Sequence, residues 1–482
     1  MRGKSTTLSP AGILSAPELP PSTASQAGFA QDRLKNSNSL LLAWGLAVGA
    51  AAIGIYGNVM DLRIGGVASF SVAVNAVLLL ATCLACKQAN AWGASLVLWT
   101  SHCLFASPFT FRMIVPAMMV WAVLMIEPQR LYRHLREHVT LIAVLFFCYL
   151  GSELFYQGQR TSTSLESALA FFRLASIFIA VPAFARVVSK AGDMQQGVVV
   201  SVALFSAYLL YIYLSSDRMV YGEDKTQEID AAVGNLTITA MSTWLGPALA
   251  CVACALFGQA FATPSLLRAI PCLILAASAL SVIMRVGARG ATIAALAGMG
   301  IIALLSFLRK GRFAQNVLVA VILAAAVCFF IFGSNKPMEA ISKRFIEAQN
   351  NPHQVTARPD RWLLSLKQVC EAPMGTGYTV APIGLGTQAH NDVLIVSMSY
   401  GAAAGIAVVI LFLTKLQRLL KATFSRGPRT QFAIAGLGLL ATFGIASNLD
   451  MLLVVGFVFE WSWMLLCVLE EYSSNDIANA GF

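Results

Sequence analysis

The chain reads as an all-α polytopic membrane protein of about 12–14 transmembrane helices, with both termini cytoplasmic and one large, partly helical extracytoplasmic loop. Three observations lead there. Of its 482 residues, 57% are hydrophobic and only 12% charged, with a mean hydropathy of +0.72. A soluble chain of this length needs more charge to cover its surface. Apolar stretches of about 16–23 residues recur along it, the length that crosses a bilayer's hydrocarbon as a helix. The net charge of +10 lies largely in short loops between those stretches. That distribution reports membrane orientation and argues against a nucleic-acid groove.

Residues 1–36 are rich in Ser, Pro, Ala and Gly and are expected to form a disordered cytoplasmic tail. They are too long and polar for a typical signal peptide, so the first span is expected to be an uncleaved anchor. Within 37–333, hydropathy places spans near 38–57, 66–86, 91–106, 110–126, 139–157, 168–187, 196–215, 237–257, 267–283, 290–308 and 315–333. The polar excursion 334–390 follows. Within 391–470, spans fall near 392–413, 431–448 and 451–468, leaving 471–482 as a cytoplasmic tail. Re-entrant or merged helices in the pair 91–126 or the pair 431–468 would reduce the number without changing any side assignment.

Basic residues orient these spans. Arg33 and Lys35, the Arg130/Arg133/Arg136 cluster, and Arg186 with Lys190 fall on one side. So do Arg309/Lys310/Arg312 and the tract Lys415, Arg418, Lys421, Arg426 and Arg429. That side is cytoplasmic. The opposite face receives the acidic loop Asp217–Asp230, the turn carrying Arg285 and Arg289, and the excursion 334–390. The Cys83/Cys86 and Cys251/Cys254 pairs lie in apolar segments without partner ligands and read as packing residues. Cys370 stands alone in the long loop, so no disulfide forms within it.

Arg112, Arg160, Arg173, Arg285 and Arg289 run against the charge rule, being expected at or near the extracytoplasmic surface. Arginine there must snorkel, pair or face a polar cavity. Snorkelling stays open for Arg112 and Arg160. Arg285 and Arg289 fit it less well: four residues apart, they would share a helix face, with no acid nearby. Two guanidiniums on one face make a fork for a dianion, and pyrophosphate is the membrane-linked candidate.

The excursion carries its own helical periodicity. Met338–Asn350 reads as one helix, and Arg358–Val369 as another that begins near a proline and sets Trp362, Leu363, Leu366 and Val369 on one face. These helices are expected to lie across the membrane surface and roof a cavity. Pro373–Gly377 then turns the chain, and Gly384–Gly386 leads into His390. A histidine opening a membrane helix meets the positive end of the helix dipole and partial burial, and both favour the neutral ring that a general base requires. Asn391 could orient that ring or bind a sugar hydroxyl. The alternative, a helix-start histidine hydrogen-bonded to the loop, stays open on position alone. The sequence has no DxD pair for a metal-held diphosphate, no Gly-rich P-loop of the form GxxxxGK[ST], and no metal-spaced cluster among His102, His134, His138 and His353. Phosphate, if bound, would meet arginine. The small residues Gly401, Ala404 and Gly405 read as a helix-packing face.

His390-Asn391, nine residues, then Gly401 resembles the H[NSQ]-x9-G signature of the O-antigen ligase family, the lipopolysaccharide ligases that share a fold with Wzy-type O-antigen polymerases. Ala404 stands where that pattern prefers Gly, Thr or Tyr. Arg358-xxx-Trp362 followed by Pro373-Met-Gly-Thr-Gly377 is similar to the family's R…W…P-x-G-x-G run. Ala288-Arg289-Gly290 is similar to its Ser-Arg-Gly turn, with alanine in place of the serine. The specific part of the resemblance is confined to residues 280–405.

The resemblance implies a metal-independent, cofactor-free, inverting glycosyl transfer on the periplasmic face of a bacterial inner membrane. The donor would be a glycan on undecaprenyl pyrophosphate, its tail among membrane lipids, and the acceptor a hydroxyl of the lipid A-core oligosaccharide. His390 would be the base and Arg289, with Arg285, would neutralise the departing pyrophosphate. Arg358 would be a third phosphate contact or a loop anchor, Trp362 a core residue or a sugar platform. Arg173 and Arg112 are candidates for the donor path. Rival readings are a polymerase or a protein O-oligosaccharyltransferase of the same fold. From another class comes a lipid-linked sugar flippase, which predicts internal repeats and midplane charges that the sequence does not display.

Overall fold

The computed structural model describes residues 38–52, 68–105, 123, 128–155, 168, 172, 175–215, 228–230, 237–239, 245–263, 265–285, 288–309, 313–332, 346, 349–350, 352–376, 391–425, 427, 429–449 and 457–479. The expected tail 1–36, most of the span 110–126 and most of the helix Met338–Asn350 lie outside the described residues.

In chain order the helices are α1 (Asn38–Ala52), α2 (Ala68–Ala89), α3 (Trp92–Phe105), α4 (Pro128–Glu137), α5 (Val139–Phe155), α6 (Val181–Val188), α7 (Met194–Ser215) and α8 (Leu245–Ala262). There follow α9 (Leu266–Arg285), α10 (Arg289–Phe307), α11 (Phe313–Phe332), α12 (Pro352–Glu371), α13 (Asp392–Tyr400), α14 (Ala402–Phe424), α15 (Thr430–Leu449) and α16 (Phe457–Asn479). One short antiparallel pair, Glu228–Asp230 with Thr237–Thr239, departs from the all-α expectation. Among the described residues, α8, α9 through Met284, α10, α14 and α15 are long and apolar enough to cross a membrane. The chain is a helical membrane protein.

At the centre of the bundle stands α8, 89% of its span buried, with α9, α10 and α15 packed around it. A helix apolar on every face has no solvated side to keep, so full enclosure is its stable position. Small residues let the backbones close up, because apolar surface alone does not drive helices together in lipid. A Cβ on Gly258 would stand 2.6 Å from that of Ala435, and one on Gly298 would stand 2.5 Å from the carbonyl of Gly438. The α10–α15 pair runs antiparallel: Ser306 donates to Gln431, Gly438 meets Ile302, and Gly298 meets Thr442. Arg289, opening α10, therefore lies at the same end of the bundle as Asn448, near the close of α15.

Two segments depart from the hydropathy reading. The expected single span 392–413 is two helices, α13 and α14, broken at Gly401 with φ +96°. Hydropathy runs through the break because Gly401 and its neighbours are apolar or small. Nine residues of α13 rise about 14 Å, too little to cross a bilayer. In the segment 168–187, Ser176–Ala180 is a π-helix preceding α6. Val181 bonds back five residues to Ser176. The next residue, Pro182, has no N–H for the Ile177 carbonyl, and the Trp463 indole supplies one at 2.9 Å.

The last helix continues past the hydropathy boundary, through 471–479. Ion pairs explain why a polar stretch stays ordered. Lys415 pairs with Glu470 in a buried contact, and Arg418 reaches both Glu470 and Glu471. Arg186 bonds Glu471 at 3.0 Å, while Arg429 bonds the carbonyl of Tyr472 and stacks on its ring. Arg309 bonds the carbonyl of Gly427. Three of the basic clusters used for orientation thus gather at one end, opposite Arg289 and Asn448.

Candidate functional site

At the Arg289–Asn448 end, the turn after α12 locks onto the α13–α14 break. Thr376 donates to the Met398 carbonyl at 2.9 Å, and Ala402 to the Pro373 carbonyl at 3.0 Å. Gly375, at φ +84°, sits so close that a Cβ would fall 2.5 Å from the nitrogen of Gly401 and from the oxygen of Ser399. A Cβ on Gly401 would fall 2.7 Å from the Pro373 oxygen. Both positions need glycine for its left-handed backbone and for the approach. Gly405 backs against Ser397 and the Val393 carbonyl, which lets α13 fold onto α14. The small-residue face is therefore a packing face, and Gly401 is in addition a hinge point that periodicity did not reveal.

Asn391 caps α13. Its Oδ1 accepts from Leu394 N at 3.0 Å, and its Nδ2 donates to Asn448 Oδ1 at 2.8 Å. Asn448 in turn donates to the Gly444 carbonyl. The side chain thus satisfies one of the orphan donors at a helix start and ties α13 to α15. An asparagine directly before Asp392 and an apolar run is a helix-start signal, so the cap was readable locally. Its partner, 57 residues away, was not.

From this polar end an apolar groove of about 830 Å³ runs between α13, α14 and α15, with walls from α10 and α12. Trp362, Asn391, Asp392, Ser447 and Asn448 line its polar end; aliphatic and aromatic side chains line the rest, down to Leu416 and Leu420. Val409 and Leu413 on that wall are exposed, so the groove opens on the face an apolar environment would cover. Its α14 wall, from Val408 to Leu420, is about 18 Å of helix. Two buried donors at that polar end, Trp362 Nε1 and Ser447 Oγ, find no hydrogen-bond partner among the described residues. Ser447 carries no signal in the sequence: it is one hydroxyl in an apolar span.

The predicted arginines divide. Arg289 is exposed as the first residue of α10, after Ala288, which offers no side-chain cap. Arg285 is the last residue of α9, so the two flank a turn between helices and do not share one helix face as expected. The chain leaves helical geometry at Ala288 (φ −81°, ψ 85°), which removes the four-residue relation. Arg285 and Arg358 are placed on α9 and α12, but their side chains lie outside the described residues, as do Arg112, Arg160, Arg173 and His390 altogether. The α12 helix starts at Pro352, six residues before the expected position, and Pro359 is interior to it. Trp362 and Leu366 face the groove and Val369 is buried, whereas Leu363 turns away at 65% exposure. Among the described residues no group of three His, Cys, Asp or Glu side chains could hold a metal ion.

No protein-family model matches the chain, and no curated protein matches it in sequence.

Proposed function

We propose that the protein is an O-antigen ligase, a metal-independent inverting glycosyltransferase that moves a glycan from undecaprenyl pyrophosphate to the lipid A-core oligosaccharide. Both termini are cytoplasmic in this reading, and transfer takes place on the periplasmic face of a bacterial inner membrane. One observation carries it. The Pro373–Gly375 turn interlocks with the Gly401 break, and Arg289 opens α10 at the same end of the bundle as Asn391. Parts of three short motifs, far apart in the chain, thus lie at one end of the bundle, and Trp362, Asn391 and Asp392 from two of them line an apolar groove. Both proposed substrates are lipid-borne, and such a groove suits a substrate whose chain stays in the membrane while its head reacts.

In this mechanism His390, next to the cap of α13, removes the proton from an acceptor hydroxyl as that oxygen attacks the anomeric carbon. The bond to the pyrophosphate breaks on the opposite face of the sugar, which inverts the anomeric centre. Arg289, at an uncapped helix N-terminus, and Arg285 across the turn stabilise the negative charge on the leaving undecaprenyl pyrophosphate. Arg358, Arg173 and Arg112 are further contacts along the donor path.

The test uses full-length protein in membranes with a labelled undecaprenyl-pyrophosphate glycan, offering either lipid A-core or a second lipid-linked glycan. Transfer to lipid A-core that disappears in His390→Ala, with insertion and donor binding kept, is the expected result. Product only with the second lipid-linked glycan would make the protein a polymerase. Undiminished transfer by His390→Ala would remove the base.

A further inference from the structure

We propose that a small cavity at the ion-paired end binds the phosphate of an anionic phospholipid, whose chains lie along the neighbouring exposed face of α14. The cavity, of about 120 Å³, lies between α5, the π-turn with α6, α14 and α16. His138, Thr414, Lys415, Arg418, Glu470 and Glu471 supply its polar wall. Lys415 and Glu470 neutralise each other, at 7% and 1% side-chain exposure. Arg418 has donors to spare. Its Nη1 alone serves both acids, Glu470 at 3.3 Å and Glu471 at 3.5 Å. Among the described residues its Nε and Nη2 make no hydrogen bond or ion pair. A guanidinium carries five N–H groups in a planar fork that matches a phosphate. The side chain is 36% exposed, so that fork can be reached from outside.

The surrounding charge favours an anion. Arg186, Lys415 and Arg418 face Glu470 and Glu471. The helix α4 ends one residue before His138 and packs against α6 and the π-turn, which bear the cavity's Pro182 and Phe178. It adds Arg130, Arg133 and Arg136, against Glu137 within it and Glu127 just before it. Six basic residues thus meet four acids, whichever way each side chain turns. A phosphodiester with a net negative headgroup meets that excess, whereas a zwitterionic headgroup brings its own cation and gains less. Towards the membrane the wall is apolar. Ile410 lines the cavity yet is 54% exposed, and Ile406, one turn along α14, is 60% exposed. The cavity therefore opens onto the flank of the bundle, where lipid chains lie. A polar pocket with an apolar flank suits a headgroup with chains attached better than a free anion. This end is opposite Arg289 and Asn448, so the site takes no part in the proposed transfer.

The experiment places full-length protein in nanodiscs of equal parts phosphatidylglycerol and phosphatidylcholine with matched chains. Native mass spectrometry reads the lipid that stays bound. Phosphatidylglycerol should be retained over phosphatidylcholine. Arg418→Gln should lower that preference by about 3–10-fold, the worth of one hydrogen bond to a partly exposed cation. Thr414→Asp sets a carboxylate in the cavity while leaving the Lys415–Glu470 and Arg186–Glu471 pairs in place, and should lower it by at least as much. That variant decides the matter if Arg418→Gln fails to fold. Arg268→Gln removes an exposed arginine at the start of α9, on the same side of the bundle but outside the cavity, and should leave the preference unchanged. A loss in Arg268→Gln equal to that in the cavity variants would assign the effect to the whole surface and overturn the site. So would a preference that survives in both cavity variants, or none in the wild type. Displacement of the lipid by excess inorganic phosphate would give the cavity to a free anion and overturn the lipid as its occupant. None of these outcomes depends on whether the protein transfers a glycan.

Discussion

The two ends of the bundle differ in how they bury charge. At one, charge meets charge: Lys415, Arg418 and Arg186 converge on Glu470 and Glu471, and Lys415 also lies over the Trp463 ring at 4.9 Å. At the other, the described polar residues that line the groove are neutral apart from Asp392, one helix is broken, and the Trp362 and Ser447 donors are left without partners among the described residues. The first arrangement ties α6, α14 and α16 together through charge; the second ties α13 to α15 through the Asn391–Asn448 hydrogen bond.

The largest effect expected from this contrast lies at the paired end. Glu470→Ala leaves Lys415 buried without its anion and should cost about 3–5 kcal/mol, whereas Lys415→Met combined with Glu470→Leu should stay near wild type. Thermal unfolding in detergent measures both, and a Glu470→Ala protein as stable as wild type breaks the contrast. Next comes the Gly401 break. Gly401→Ala puts a side chain into a backbone region that only glycine occupies easily, at a cost of about 1–3 kcal/mol, besides its collision with Pro373. Hydrogen exchange at Thr376 and Ala402 should accelerate first, because their bonds form the clasp; protection equal to wild type would mean the turn and the break are independent. The smallest effect is the cap. Asn391→Ala should cost about 1 kcal/mol and deprotect Leu394, while Asn391→Asp keeps the cap and loses only the donation to Asn448. A large loss of glycan transfer in Asn391→Asp with full helix protection would give Asn391 a role beyond its cap.

What could be read from the chain was whatever is local. Hydropathy finds α8, α10 and α15 because a membrane span announces itself over about twenty residues. The grouping of Arg186, Arg309 and the Lys415–Arg429 tract on one side agrees with their meeting at one end. Hydropathy missed Gly401 as a break because a glycine in an apolar run costs an index nothing while its φ changes the path of the chain. Helical spacing misjudged Arg285 and Arg289 because a turn intervenes at Ala288. The stretch 471–479 looked like a tail because the partners of Glu470 and Glu471 are contributed by α6 and α14. The orphaned Ser447 shows only once Trp362 and Asp392 have been folded beside it.

Phe178 lines both the large groove and a smaller cavity of about 120 Å³ at the ion-paired end, beside His138, Lys415 and Glu470. Its ring is packed edge-on against Phe459 and Trp463, and Phe412 and Phe443 complete the cluster. The two cavities therefore share a wall, and that wall is one phenylalanine braced on a π-turn that Trp463 itself stabilises.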